Sequence, residues 1–182
     1  MQSGELSTRL GLPGPASEAE TITLDRDLSL VKMTGGRYHA AHISTAEGVA
    51  RIRAAKDEGL RVTCDTAPPY FALNELAVGE YRTFAKLSPP LRSENDRQAI
   101  VEGLADGTID CIASDHFPQD QESKRLPFEL AEFGSSGLES LLALTMELVH
   151  NGHLPLSDAL AKVTAAPSRL LGASAGTYAL LG

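Results

Sequence analysis

The sequence has little of what would place it outside the ordinary globular proteins. Its only cysteines, Cys64 and Cys111 in 182 residues, show neither the paired spacing of a metal knuckle nor the density of a secreted disulfide scaffold. Reduced thiols in a cytoplasmic protein are therefore expected. No run of apolar residues approaches the roughly 18 needed to span a bilayer. The opening Met1-Gln2-Ser3-Gly4-Glu5 lacks the basic-then-apolar order of a secretory signal. Basic charge is short as well: the net charge of −8 favours solubility and argues against a nucleic-acid or anionic-membrane surface. A glycine-rich phosphate loop, a Ser-His-Asp order and a cysteine cluster are all missing, so local motifs give no nucleotide site or serine hydrolase. With 42% apolar and 22% charged residues, the chain is long enough to bury a core as one domain.

Short apolar runs alternate with helical patterns. Ser17 with Glu20 has the spacing of a capping box and predicts a helix over 17–33, stopped by Gly35-Gly36. Ser44 with Glu47 predicts a second helix, carrying Val49, Ile52 and Ala55, and Ser93 with Asp96 a third, carrying Ile100, Val101 and Leu104. Gly137 precedes a strongly apolar helix through Val149, and shorter helices are expected over 157–164 and 167–171. Residues 119–124 read as a polar loop. Strands are expected near 38–43, 61–65, 83–87 and 109–114. Strands separated by helices imply right-handed βαβ units, a parallel sheet and an α/β fold. A complete eight-stranded βα barrel takes about 250 residues, so roughly half of one is expected here.

In βα folds the carboxyl ends of the strands face the active site. His42 stands at such an end, where a neutral imidazole is a good zinc ligand; taken alone, a hydrogen-bonded strand-end histidine is the commoner case. Counting alternation through 38–43 puts His42 with Tyr38 and Ala40, and sends His39 toward the helix layer as a structural residue. Asp115 follows a buried apolar strand, where a carboxylate needs a partner such as a cation; capping the turn before Pro118 accounts for it equally well. Arg92, after Ser88-Pro89-Pro90-Leu91, could bind a carboxylate bidentately but is expected at the surface or in a salt bridge. His150 and His153 fall at a helix end and carry no ligand role, and both cysteines read as small buried hydrophobes.

The order of the pieces is more specific than any one of them. His42-Ile43-Ser44-Thr45-Ala46-Glu47 comes first, then Val62-Thr63-Cys64-Asp65. Ser88-Pro89-Pro90-Leu91-Arg92 follows, then Asp110-Cys111-Ile112-Ala113-Ser114-Asp115-His116. Together they resemble dihydroorotase. The stretch Pro127-Phe128 through Phe133-Gly134, closing with Gly137-Leu138-Glu139-Ser140, is similar to a segment that favours dihydroorotase over the related hydantoinases and allantoinases. The resemblance covers about residues 3 to 172, leaving 173–182 as a truncated tail.

The resemblance implies the carboxyl-terminal half of a TIM-type (β/α)8 amidohydrolase barrel, strands five to eight, with zinc at the carboxyl strand ends. In that family an activated hydroxide opens the cyclic amide of dihydroorotate to N-carbamoyl-aspartate, and the reverse reaction closes the ring. His42 matches a metal histidine and Asp115 the acid/base carboxylate, itself a further metal contact. Ser88 and Gln119 fall at substrate-binding positions where the family carries asparagine and histidine, and Pro69 stands where it carries a metal histidine. The HxH pair after the first strand and the bridging lysine or aspartate after the fourth have no counterpart in this sequence. Weak zinc binding and no turnover by this chain alone are the expectation. The alternatives are a non-catalytic subunit scaffolding aspartate transcarbamoylase, and a hydrolase of hydantoin or allantoin rings. A half barrel would also call for a completing partner, either a second copy of the chain or an amino-terminal segment.

Overall fold

The computed structural model describes residues 1–173; the tail expected beyond them lies outside the described residues. Three parallel strands, β1 (Tyr38–Ala40), β2 (Val62–Thr66) and β3 (Cys111–Ile112), pair in the order β1-β2-β3. Helices α1 (Glu5–Leu10) and α2 (Glu18–Thr34) precede the sheet, and α3 (Ala46–Asp57) connects β1 to β2. Between β2 and β3 come α4 (Pro68–Ala72) and α5 (Glu94–Ala105). After β3 come α6 (Gln121–Lys124), α7 (Leu138–His150), α8 (Leu156–Val163) and α9 (Ala165–Leu171). Neighbouring parallel strands joined by helical crossovers are the winding of a partial βα barrel, as expected.

The pairing register decides which side chains reach which face. Tyr38 pairs with Val62 and Ala40 with Cys64, while Asp65 pairs with Cys111 and Thr66 with Ile112. Ala40, Val62, Cys64 and Ile112 join the main core with Val49, Ile52, Ile100, Leu104, Ile109 and Leu148. Alternation then places His39, Thr63, Asp65 and Cys111 on the opposite, inner face. This corrects the expectation for His39, which faces away from the helix layer. The alternation cannot be counted through to His42 because the strand ends at Ala40 and His42 turns into the left-handed region at φ 56°. Gly103 lets α5 approach α3: a Cβ there would lie 3.0 Å from the Val49 side chain.

The strand expected near 83–87 does not form. Thr83–Ala85 is a 3-10 turn, whose amides are satisfied locally by Ala85 N–H to Arg82 O and Lys86 N–H to Thr83 O rather than by a ladder. Lys86, 8% exposed, then runs under Phe133 and donates to the carbonyls of Glu129 (2.9 Å) and Ala131 (2.7 Å). Lys124 is buried too and donates to Thr83 O (3.0 Å) and Glu132 O (2.8 Å), so the expected polar loop contains α6 and a buried cation. These two lysines hold the 127–134 segment over a second apolar cluster that includes Tyr70, Leu87, Leu91 and Phe128.

The three expected caps fare differently. Ser93 and Asp96 form the reciprocal box that their spacing predicts. Ser17 is itself in a helical conformation and caps nothing, and Thr45, not Ser44, is the N-cap of α3, accepting from Gly48 N–H. Glu20 does not close a local box; its carboxylate reaches across to α3 and accepts from Thr45 N–H (3.1 Å), the Thr45 hydroxyl (2.7 Å) and both Ser44 donors. Asp96 Oδ1 accepts from Ala46 N–H at 2.8 Å. Two carboxylates thus meet the positive end of the helix that follows β1, an arrangement the helix dipole favours.

Candidate active site

β1 and β3 bring together the two residues that the sequence singles out. His42 Nε2 lies 3.7 Å from Asp115 Oδ1. Both residues hold left-handed backbone, with φ of 56° and 47°. That conformation is uncommon for an L-residue, though histidine and aspartate enter it more readily than most. Here it turns each chain sharply at the strand end, so that both side chains converge above the sheet.

Asp65, 7% exposed at the end of β2, organises the histidines. Its Oδ1 accepts from the His42 backbone N–H at 2.7 Å, and Oδ2 meets His39 Nε2 at 2.9 Å. His42 Nδ1 is 3.2 Å from Asp65 Oδ1 but poorly aligned, so this buried nitrogen makes no directed hydrogen bond. Burial alone would push the Asp65 carboxyl up; hydrogen bonds from His39 and His42 overcome it and hold the group well below the usual carboxylate range. Reciprocally, Asp65 raises His42 above the ordinary imidazole value against the opposing effect of burial, with Asp115 adding to the rise. Asp65 thus holds the His42 turn through its backbone N–H and meets the His39 ring.

Tyr70 closes the site from α4. It is 2% exposed, donates its hydroxyl to Pro89 O at 2.9 Å, and is held protonated by burial and by the Asp115 and Glu20 carboxylates. Arg92 is buried rather than superficial: its Nε donates to the Ser44 hydroxyl at 3.0 Å and it stands 3.6 Å from Glu20. Ser88, joined to Pro89 by a cis peptide bond, shares with His42, Glu20 and Arg92 a cavity of about 300 Å³. Gln119 is half-buried beyond Pro118 and does not line that cavity. Of the four site residues expected from the sequence, the structure thus brings together His42 and Asp115, sets Ser88 beside His42, and leaves Gln119 apart.

His116 faces the other way. Its Nδ1 accepts from the backbone N–H groups of Gly137 (3.1 Å) and Leu138 (3.2 Å), capping α7. Gly137 is packed so closely that a Cβ would lie 2.1 Å from Ser114 O. Sequence reasoning missed Asp65, Tyr70 and the burial of Arg92. The signal for Asp65 was present, an acid inside the apolar run Val62-Thr63-Cys64, where an unpaired carboxylate would be too costly.

As a metal site, this donor set is partial. His42 Nε2 and Asp115 Oδ1 are spaced to share a cation, but a catalytic zinc takes three protein ligands and a water. Within α4, Pro69 has a side chain with no donor atom.

No family model matches the chain. It is 45% identical over 172 residues to a dihydroorotase of Desulforapulum autotrophicum, covering 94% of this chain and 40% of that protein. A dihydroorotase of Anaplasma phagocytophilum is 46% identical over 172 residues, covering 94% and 38%. Among solved structures, a dihydropyrimidinase from Brevibacillus agri superposes with a TM-score of 0.82 at 25% identity, over 91% of this chain and 38% of that one. An L-hydantoinase from Arthrobacter aurescens superposes with a TM-score of 0.81 at 29% identity, over 87% and 37%. Fold and strand-end site together define the class, the cyclic amidohydrolase barrels. Within that class the chain's sequence is similar to the dihydroorotases, of which it matches a carboxyl-terminal segment. It spans about two fifths of the length of the curated relatives it matches.

Proposed function

We propose that residues 1–172 form the carboxyl-terminal half of a dihydroorotase-type barrel and contribute His42 and Asp115 to a site that interconverts dihydroorotate and N-carbamoyl-aspartate. The observation that carries this reading is the 3.7 Å approach of His42 Nε2 to Asp115 Oδ1, held by left-handed backbone at both residues. Opening the ring adds water across an amide C–N bond, so a proton must leave the attacking water and reach the departing nitrogen. Asp115 is the group placed to carry it. The buried Tyr70 stands beside Asp115, and Ser88, which lines a cavity with His42, can offer a hydroxyl to the ring substituents. In this reading zinc is the family's electrophile, and His42 and Asp115 supply two of the three protein donors that a catalytic zinc takes.

The test is direct. Purified chain at micromolar concentration, with and without added zinc, is expected to hydrolyse dihydroorotate no faster than buffer; a rate above that background would overturn the claim that the chain alone is inactive. Pro69→His adds a donor on α4 and is expected to tighten zinc binding at least about tenfold, the scale on which donors around a metal are felt.

A second reading is favoured by the same Pro69: a non-catalytic dihydroorotase-like subunit that scaffolds aspartate transcarbamoylase. Co-elution with that enzyme on gel filtration, with zinc affinity unchanged in Pro69→His, would select it.

A further inference from the structure

We infer that His39, Asp65 and Cys111, on the inner face of the sheet, form a binding site for a divalent cation of borderline softness, such as zinc or cobalt. Their ligand atoms all lie within 4.8 Å of one another. The arrangement follows from the register: Asp65 and Cys111 are direct cross-strand partners on β2 and β3, and His39 is the diagonal neighbour on β1. One nitrogen, one oxygen and one sulfur from three adjacent strands are a donor set that zinc accepts, with ligand lengths of about 2.0–2.3 Å. Tetrahedral geometry at those lengths separates the donors by about 3.5 Å. Small side-chain rotations on fixed strands close the remaining gap.

Two further features point to a ligand rather than to a simple ion pair. His39 Nδ1 lies 2.9 Å from Thr63 Oγ1, so that when Nε2 binds a cation, Nδ1–H has the outer partner that metal-bound histidines carry. Cys111 is free and 4% exposed, its sulfur directed with Asp65 away from the helix-side core that holds Cys64. On binding, the Cys111 thiol gives its proton to solvent, the single His39 ring proton sits on Nδ1 facing Thr63, and the cation lies beside the Asp65 carboxylate. The inference stands on the strand register and does not depend on chemistry at His42 and Asp115.

Cobalt(II) separates this site from any other in the chain, because only a thiolate ligand gives a near-ultraviolet sulfur-to-cobalt charge-transfer band. The reduced, chelator-treated chain titrated with cobalt is expected to develop that band to saturation at one cobalt per chain. Cys111→Ser is expected to abolish it with the circular dichroism unchanged, and His39→Gln to weaken cobalt binding at least about tenfold. Cys64→Ser and Asp115→Asn are expected to keep it. Cobalt binding without the band, or a band that survives in Cys111→Ser, would overturn the inference. Loss of the band in Asp115→Asn would do so too, by moving the cation to the other carboxylate. Failure of the turnover predictions would leave this result untouched.

Discussion

Asp65→Ala removes the carboxylate on which both histidines of β1 and its following turn depend. The substitution strands the His42 backbone N–H, whose 2.7 Å hydrogen bond has no other acceptor in place, and a buried unpaired donor costs about 1–3 kcal/mol. The His39 contact adds less, because that side chain is 26% exposed and partly solvated; about 0.2–1 kcal/mol is appropriate. The total is about 1–4 kcal/mol, and for a chain of this size each kcal/mol moves the melting temperature by about 2–4 °C. Thermal melts at pH 7 with a chelator present should therefore show Asp65→Ala lower by about 2–16 °C. Asp65→Asn keeps an acceptor for the amide and should lie between Asp65→Ala and the parent. The pH dependence has a definite sign. The folded-state carboxyl is held well below its unfolded value, so its contribution is complete above about pH 4 and is lost as pH falls further. The difference between parent and Asp65→Ala must accordingly shrink in acid. Melts that coincide at pH 7, or a difference that stays constant down to pH 3, would refute the role assigned to Asp65.

Other expectations come from the packing. Gly137→Ala should cost on the order of 2 kcal/mol or more, read from urea denaturation, because its Cβ meets the Ser114 carbonyl and neither backbone can yield without moving β3 or α7. Lys86→Met keeps the stem under Phe133 but leaves the Glu129 and Ala131 carbonyls without their donor; about 1–3 kcal/mol should be lost, with faster hydrogen exchange confined to the 127–134 segment. Burial, aided by the Asp110 carboxylate at Cys64 and by Asp65 and Asp110 at Cys111, pushes both thiols up to about 12. Neither should react with an aromatic disulfide reagent at pH 8 unless denaturant is added, and rapid native labelling of either would contradict the burial described.

The elements with a periodic apolar face were legible in the sequence, as α3, α5 and α7 show, and so were the strands that join the main core. The segment at 83–87 was not. Its alternation of Thr83, Phe84, Ala85, Lys86 and Leu87 mimics a strand, but Lys86 is buried by carbonyl partners more than forty residues ahead, which no local pattern reveals. Glu20 fails for the same reason: its spacing from Ser17 is that of a local cap, while its partners are Ser44 and Thr45. At the site, the strand-end positions of His42 and Asp115 could be read from chain order. The pairing of Asp65 with both histidines could not, because it depends on where β1 stops and on the left-handed turn at His42. One residue of register decides whether His39 packs against helices or looks inward.

The ring of His116 has a mechanical consequence for its neighbour. Because Nδ1 receives two backbone N–H groups, its lone pair must be free and the ring proton must sit on Nε2. The imidazole is thus a fixed-tautomer latch between the turn after β3 and the first residues of α7, and Asp115 is the link immediately before it. The acid at the strand end is therefore moored from both directions, by its strand and by a helix more than twenty residues further along the chain, and slack in either mooring would be felt at the carboxylate.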